Sequence, residues 1–586
     1  MNPAECLQSG IRRGARPPRA FPTGTLAGWR ERVRSFQTPP TVECAGSGPR
    51  GRGPQRARCP RSLLHRMPSA VFVFIAFVVA VAVNLSAAQP SIANYYTIEN
   101  IAAPKGLDPQ VGGLDFMPDG RLVACFHRGE VYTYHPKTKT WKLFAEGLQE
   151  PLGVVANSDR EVVIMQRPEL TRLTDTDGDG AADVYQTLTD AFGMSGNYHE
   201  FAFGPARDAE GNFYIGLNVA SNGASVRDEV RGEFRHYGLS RERFKEDWKK
   251  VKGLAGRMYS AVPYRGWVLK VAPDGTMTPF APGFRSPNGL AFDASGDLWV
   301  TDNQGDWLGA SKLFHVRKDH FHGHPASLVW TKDWQRGDPL KIPVAELDRM
   351  RTRAAVMFPQ GSMANSPTQP LIDSTGGKFG PFAGQLLIGE MNQPRIMRVM
   401  LDKVNGEYQG ACVPFYHGAG LRIGNNRFVF DKAGALWVGQ EKLSWVGDAG
   451  IQRITWNGKT PMDLHTIKVT KAGFDLTFTK PVDAAIAGDV ENYALERFYF
   501  RYHQKYGSPE HERTKVTITK AVVSNDGKTV SLTLDEVVPW RVYRFNLKLI
   551  AAQDGDTVWN PMVVYTLNQL RDATPPPGPE TFSGER

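Results

Sequence analysis

The sequence predicts an all-β protein, a six-bladed β-propeller followed by a small immunoglobulin-like β-sandwich. One observation is a recurring strand–turn–strand phrase. It reads Gly113-Leu-Asp-Phe-Met-Pro-Asp-Gly-Arg-Leu-Val-Ala124, then Phe201-Ala-Phe-Gly-Pro-Ala-Arg-Asp-Ala-Glu-Gly-Asn-Phe-Tyr-Ile215. It returns as Gly289-Leu-Ala-Phe-Asp-Ala-Ser-Gly-Asp-Leu-Trp-Val300 and as Phe428-Val-Phe-Asp-Lys-Ala-Gly-Ala-Leu-Trp-Val438, with a weaker copy from Gly153. Each copy is two short apolar strands around a Gly-containing turn, where Gly supplies a positive φ. A second observation is the spacing. One hairpin cannot bury its own face, so hairpins at blade-sized intervals imply stacked sheets, and radial closure of such sheets gives a propeller. The third is a separate block of period-two alternation after residue 462, seen in Phe474-Asp-Leu-Thr-Phe-Thr479 and Val530-Ser-Leu-Thr-Leu534.

Taken in order, residues 1–66 are Pro-, Gly- and Arg-rich without apolar periodicity and are expected to be disordered. Met67 offers an alternative start, in which case they are not translated. The apolar run of residues 69–83 is short for a membrane span and suits a signal peptide at 67–88, with small residues Ser86, Ala87 and Ala88 for cleavage. Export to the periplasm, the exterior or the cell surface follows, with no transmembrane span in the mature chain. The propeller is placed at 96–458. Further strands at Val131–Tyr134, Val162–Gln166, Gly266–Ala272, Gly384–Glu390, Arg395–Met400 and Gly450–Trp456 fill the spacing. Six blades fit best, with five or seven as alternatives.

Residues 226–253 interrupt the pattern. Ser240 caps a helix whose Phe244, Trp248 and Val251 form one apolar stripe, ended by Gly253. A surface insertion packed on the propeller is expected, with a lid over the channel mouth as the alternative. The sandwich covers 462–567, with a hairpin turn at Asn525-Asp-Gly527 and a strand at 542–549. The Pro-rich tail, 573–586, is expected to be disordered.

The net charge of +10 misleads. Residues 1–66 hold thirteen Arg, no Lys and three Glu (Glu5, Glu31, Glu43), a surplus equal to the whole excess, so 67–586 are neutral and no nucleic-acid partner is expected. Cys6, Cys44 and Cys59 precede the signal; Cys125 and Cys412 lie in apolar strands and read as two buried thiols.

Four constellations bear chemistry. Asp175-Thr-Asp-Gly-Asp-Gly-Ala-Ala-Asp183 places carboxylates of Asp175, Asp177, Asp179 and Asp183 at positions 1, 3, 5 and 9 of a calcium-type loop, with Gly180 at position 6. Position 12 is Gln186 rather than Glu, and a solvated acidic turn is the alternative. In Gly196-Asn-Tyr-His-Glu200, His199 leads into the third hairpin, where a neutral imidazole takes a proton from a substrate hydroxyl or serves as a rim hydrogen-bonding residue. Arg285, in Gly283-Phe-Arg-Ser-Pro-Asn-Gly-Leu290, precedes the next hairpin in the same way and either binds negative charge or steadies its turn. Beyond that hairpin, Thr301-Asp-Asn-Gln-Gly-Asp306 suits calcium or sugar hydroxyls. Finally, His320, His322 and His324 share one face of an extended segment and suffice for zinc, although Gly323 and Pro325 favour a loop on the pocket rim.

These phrases resemble the soluble quinoprotein glucose and sorbosone dehydrogenases, over about 96–458. They are closest to the secreted propeller proteins of planctomycetes and their relatives labelled membrane-bound dehydrogenase-like. Glu169-Leu-Thr-Arg-Leu-Thr-Asp-Thr-Asp-Gly-Asp-Gly180, Gly283–Leu290 and Gly323-His-Pro-Ala-Ser-Leu328 carry the likeness. The resemblance implies pyrroloquinoline quinone and calcium at the channel. In that family a His abstracts the sugar hydroxyl proton while hydride passes to the quinone. His199 is its nearest match, standing closer to Gly204-Pro205 than the family residue does. Arg285 matches the Arg that faces the quinone, and Asn288 stands where the family has Gln. Asn303, Gln304 and Gly305 fall in the calcium segment without its Gln-Gly-Pro wording. Met391 and Asn392 occupy the stretch of the quinone-gripping Lys, and Arg427, with Arg422, remains for the paired Arg. The expected function is thus a secreted quinone-dependent sugar or alcohol oxidoreductase acting on a small sugar or polyol. The alternative is a non-catalytic propeller that binds glycans or a cell-surface partner, with the sandwich as docking module; a hydrolase or lactonase propeller is third.

Overall fold

The computed structural model describes residues 91–586 apart from 228–229, 246–247, 443–445, 575–577 and 585–586. The N-terminal extension and the signal segment lie outside the described residues. The described chain is all-β and antiparallel, with short helices only in connections. Among the described residues, no helix is long and apolar enough to cross a membrane.

Four-stranded meanders follow one another along the chain. They span 111–145, 154–189, 202–282, 289–358 and 367–417. A further sheet joins Asn425–Phe430, Leu436–Gln440 and Gly450–Trp456 to Tyr96–Ile101 from the chain start, with Tyr96 opposite Trp456 and Ile101 opposite Ile451. The first strands of successive sheets touch, and Asn425–Phe430 touches Val111–Phe116 in turn, so the row closes on itself. The second strands Leu122–Phe126, Phe213–Leu217, Leu298–Asp302, Leu386–Glu390 and Leu436–Gln440 are buried at every residue. Burial on both faces explains why they read as apolar runs rather than alternations, with polar residues only at the trailing ends (Thr301 and Asp302, Glu390, Gln440). Outer strands such as Val184–Thr189 are mostly exposed.

Two physical demands explain the recurring phrase. Its turn glycines, Gly120, Gly211, Gly296 and Gly434, all have φ between 82° and 91°, where a side chain is strained. The glycines at the strand start answer a different demand, close approach: a Cβ on Gly153 would collide with the carbonyl oxygen of Gly204 in the neighbouring sheet, and one on Gly112 with that of Pro151. The Asp and Trp of the phrase are also paired. Trp299 Nε1 donates to Asp293 at 2.8 Å and Trp437 Nε1 to Asp431 at 3.0 Å.

The C-terminal strands form a sheet ordered 464–469, 473–478, 529–534, 518–523, packed on a second ordered 511–515, 494–499, 541–546, 562–567. The latter pairs Met562–Leu567 with Glu407–His417 (Gly410 opposite Thr566, Cys412 opposite Val564), so eight strands run without a break from the 367–417 sheet into the C-terminal unit. One core serves both, joining Met400, Val404 and Val413 to Phe474, Leu532 and Tyr565. At their seam the wholly buried Arg398 donates to Asp463 at 3.0 Å and to Leu464 O at 2.8 Å, and Asn560 Nδ2 donates to Asp463 at 2.9 Å.

One expectation is corrected. The tail expected to be disordered has Phe582 buried among Trp307, Phe321 and Leu328, with bridges from Thr581 to His320 and from Gly584 to Thr331. The helix expected from Ser240 is present over Arg241–Lys245 and Trp248–Val251, with the Arg243 N–H donating to Ser240 Oγ at 3.4 Å. Its stripe does pack, with Phe244 stacked on Trp248 at 5.4 Å between ring centres. Cys125 and Cys412 are buried and free.

Candidate active site

Loops at one end of the sheets enclose a cavity of about 1570 Å³, larger than the roughly 300–1,000 Å³ usual for one small ligand. Two kinds of position build its wall. Some residues precede a first strand: Glu150, Tyr198, His199, Arg285, Asn288, Asn365 and Ser366. Others follow a second strand: His127, Arg167, Asn218, Asn303, Gln304, Met391 and Asn392. Successive first strands run in the same sense, so their leading ends, and the trailing ends of their antiparallel partners, share one face.

His199 and Arg285, placed together by sequence reasoning, line this one cavity. The loop carrying His199 is fixed from behind. The fully buried Arg265 donates to the carbonyls of Gly193 (2.8 Å), Glu200 and Phe201 (both 3.1 Å), and Asn197 Nδ2 donates to Ser221 O at 3.0 Å and Ala224 O at 2.9 Å. His199 Nδ1 lies 2.7 Å from Val219 O. A carbonyl only accepts, so Nδ1 carries the proton and Nε2 presents a lone pair to the cavity. Desolvation, then the nearby Arg285 guanidinium, pushes the His199 pKa down to about 3, with Arg167 adding in the same sense. The ring is therefore neutral at ordinary pH, and an anion bound at Arg285 would raise its basicity.

Arg285 is steered by Asp302 at the end of Leu298–Asp302. The buried carboxylate accepts the backbone N–H of Arg285 at 3.0 Å and of Ser286 at 2.6 Å, which turns the guanidinium outward. Its Nε has no partner among the described residues, and its charge lies over the Tyr506 ring at 5.8 Å. Behind it, burial pushes the Lys312 ammonium down to about 7 despite Asp302, with Nζ 3.4 Å from Asn303 O. Lys312 does not line the cavity, and no Lys does among the described residues.

The remaining expected ligands divide. Asn288, Asn303 and Gln304 line the cavity. Asn303 Nδ2 donates to Ser366 at 3.1 Å and leaves its Oδ1 without a partner; Gln304 Nε2 donates to Gly309 O at 3.2 Å. Arg427 does not line it. Its guanidinium is consumed beneath the floor, donating to Gly112 O at 2.9 Å, Leu152 O at 2.8 Å and Asn426 O at 2.9 Å, and it reaches Asn288 Oδ1 at 3.4 Å. This residue expected to bind cofactor instead ties first strands to one another. The three clustered histidines are also not a rim. His322 and His324 are fully buried; His322 stacks on Phe284 at 4.6 Å, and His324 Nε2 faces Asp306 at 3.5 Å.

In the acidic turn, ligand atoms of Asp175, Asp177 and Asp183 lie within 4.8 Å of one another, a cluster able to hold a metal. Asp179 stands outside the group, accepting Ala181 N at 2.7 Å. Asp175 accepts Gly178 N at 2.6 Å and Gly180 N at 2.9 Å; Asp183 accepts Thr176 N at 2.8 Å and Thr176 Oγ1 at 2.7 Å, and these bonds hold its carboxyl below the usual range. Alternate carboxylates of hard oxygen converging on a glycine turn suit calcium.

Sequence reasoning missed Arg167, Glu150, His127 and Glu200, all on the wall. Arg167 is paired with Glu150 and lies over Phe201; the Glu200 carboxylate is taken up by Ser195 N at 2.8 Å and Ser195 Oγ at 2.7 Å. It also missed Tyr506, delivered by the C-terminal unit, and the segment 218–266 between the second and third strands of the 202–282 sheet, which contains the expected 226–253 insertion and supplies Asn222, Arg227, Arg257 and Met258. That segment is thus part of the wall.

Residues 137–261 match a family profile described as a domain of unknown function (DUF7133). A search of curated proteins found no match. Among solved structures, the chain is similar to the quinone-bound aldose sugar dehydrogenase of Streptomyces coelicolor, at 14% identity over 63% of this chain and 100% of that one (TM-score 0.40). It is similar to the soluble aldose sugar dehydrogenase of Escherichia coli at 12% identity over 61% and 99% (TM-score 0.40), and to a luciferin-regenerating enzyme at 13% over 64% and 100% (TM-score 0.37).

Proposed function

We propose that this chain is an exported, quinone-dependent sugar or alcohol dehydrogenase-like oxidoreductase, built as a six-bladed β-propeller with a C-terminal immunoglobulin-like sandwich and a calcium loop at 175–183. The observation that carries the reading is the convergence of a neutral His199 with Arg285, the His199 Nε2 and the Arg285 guanidinium both without a protein hydrogen-bond partner among the described residues, in a cavity roomy enough for cofactor and substrate together. An alcohol oxidation needs a base for the hydroxyl proton and an acceptor for the hydride. His199 Nε2 supplies the first. Pyrroloquinoline quinone would supply the second when bound, and its three carboxylates call for cations. Arg285 lines the wall without an acidic partner among the described residues and offers one. Asn288, Asn303 and Gln304 offer amides to its carbonyls or to a second calcium.

A non-catalytic propeller that binds glycan is favoured by a specific observation, the absence of any Lys from the described wall. Titrating purified protein with the quinone and calcium, followed by ultraviolet-visible absorption, and then assaying dye reduction with aldoses and polyols, separates the two. Saturable quinone binding with sugar-dependent dye reduction is expected. No binding at millimolar quinone would leave the glycan-binding reading.

A further inference from the structure

The mouth of the cavity carries features that neither a proton acceptor nor a hydride acceptor requires. Tyr198 and Tyr506 line it while 55% and 44% exposed, so two large ring faces stand open to water at a concave site. Neither is placed by chance. Tyr506 sits on a C-terminal loop stitched to the 305–309 segment: Gly507 N donates to Gly305 O at 2.9 Å, Ser508 N to Gly309 O at 2.9 Å, and Trp307 N to His503 O at 2.8 Å. Tyr502, on the same loop, is buried and donates its hydroxyl to Gly323 O at 2.6 Å. Tyr198 Oη is 3.3 Å from Ser221 Oγ, and its neighbour Asn197 is pinned as described.

A guanidinium lies over one ring, and a second arginine is carried beside the loop that holds the other. Arg257 lies over Tyr506 at 4.2 Å. Arg227 is laid along Gly196, two residues from Tyr198, and its backbone N–H donates to Ser195 O at 2.8 Å. Both come from the 218–266 segment, and neither has an acidic partner among the described residues. The carboxylates on the same wall are already engaged, Glu150 by Arg167 and Glu200 by Ser195. The mouth is therefore positive and aromatic. A ring face offers an apolar platform, and a guanidinium offers a bidentate fork for an oxyanion.

We infer that this mouth is a subsite for acidic saccharides, sugar rings bearing a carboxylate or a sulfate, with Tyr198 and Tyr506 as platforms and Arg227 and Arg257 as anion ligands. This names the substrate class of the site proposed above and rests on that reading for turnover, though not for binding. The volume agrees: the cavity exceeds what one small ligand fills, so a chain of sugar units can lie at the mouth while Arg285 and His199 serve the floor.

Calorimetric binding of tetragalacturonate (carboxylated), a carrageenan tetrasaccharide (sulfated) and cellotetraose (neutral), at low and at moderate salt, tests it. At least one acidic chain is expected to bind roughly tenfold or more tightly than the neutral one, the difference shrinking as salt rises. Whichever acid binds tighter names the group. Arg257→Gln and Arg227→Gln should each weaken the acidic ligand by about tenfold with melting unchanged, Arg257→Lys should restore part of it, and Tyr506→Ala should weaken acidic and neutral chains alike. Equal affinity for neutral and acidic chains, no acidic binding, or acidic binding untouched in both Gln variants would overturn the inference. A further arm repeats the titration with quinone present. Acidic binding that survives saturating quinone supports a mouth subsite; mutual exclusion assigns the mouth arginines to the cofactor and overturns it. Acidic binding with no quinone response would sink the oxidoreductase reading and leave this one standing.

Discussion

At His199 one ring nitrogen is held by Val219 O while the other faces open space, and the nearest charges are cations. In the acidic turn the reverse holds: Asp175 and Asp183 have each oxygen occupied by an N–H or hydroxyl of the turn itself, and Asp177 and Asp183 stand in water. Both regions concentrate one kind of polar atom. They differ in who satisfies it. The turn satisfies its own carboxylates, so a cation there adds to a loop already shaped by Gly178 and Gly180, and its effect should appear in stability. Among the described residues the cavity wall leaves Nε2 of His199 and Nε of Arg285 without protein partners, so their demand falls to water or a ligand, and the effect should appear in binding and turnover.

The largest expected effect tests the cavity half of this contrast. His199→Ala should lower dye-reduction turnover by about 10²–10⁴, the usual cost of losing a general base, while the melting temperature stays nearly unchanged. A variant that keeps full turnover would move the base elsewhere on the wall. The sign of the pH dependence sharpens the same point. His199 must be neutral to accept a proton, so activity is lost as pH falls through its folded pKa. Arg167 lowers that pKa, so Arg167→Gln should move the acid limb of kcat/KM to higher pH. An unmoved or lowered limb would show that the limb belongs to another group.

His322 gives the stability counterpart. It is fully buried against Phe284, and desolvation pushes its pKa down to about 3 from 6.5. The unfolded chain therefore binds the extra proton first. Stability conferred by the neutral ring is complete above about pH 6.5 and is lost as pH falls toward 3, at up to about 1.4 kcal/mol per pH unit. Denaturant melts of His322→Gln across that window should show a shallower acid slope than the parent protein, and an identical slope would contradict the burial argument.

How much of this was legible in the sequence follows from range. The recurring phrase exposed its turn glycines because they act within one hairpin, and it exposed His199 and Arg285 because both precede a first strand. The other half of the wall obeys an equally simple rule, the residue after a second strand, and His127 and Asn218 were readable by it: each directly follows an apolar run, Leu122–Phe126 or Phe213–Leu217. Tyr506 was not. Its place depends on Glu407–His417 pairing with Met562–Leu567, a register joining residues more than a hundred and fifty apart that no local pattern encodes. Arg427 misled for a related reason: an Arg near the mouth in sequence is drawn under the floor by carbonyls of Gly112 and Leu152, which belong to distant strands. His322 and His324 misled because an imidazole among Gly and Pro looks solvated, whereas Phe284 and Phe314 enclose His322.

The smaller effects belong to the acidic turn. If calcium binds the folded turn alone, its removal by chelator should lower the melting temperature, and a hundredfold excess over Kd corresponds to roughly 2.7 kcal/mol. Asp177→Ala should remove most of that sensitivity; a variant that responds to chelator like the parent would place calcium elsewhere.

The smallest effect discriminates within the turn. Sequence spacing makes Asp177 and Asp179 equal partners, at positions 3 and 5 of one loop, whereas the geometry groups Asp177 with Asp175 and Asp183 and leaves Asp179 accepting Ala181 N. Lys142 also donates to the Asp179 carbonyl, which places a cation against that side of the turn and disfavours a second cation there. Asp179→Asn should therefore keep most of the chelator-dependent shift in melting temperature that Asp177→Asn loses. The Asn side chain can still accept the Ala181 N–H, so the turn itself is preserved and the comparison isolates the charge. Equal losses in the two variants would mean that calcium binding draws Asp179 inward and that all four carboxylates serve, as the spacing alone suggests. A loss confined to Asp177 would establish a three-carboxylate site, whose lower charge predicts weaker affinity and sensitivity to calcium in the range of extracellular modules.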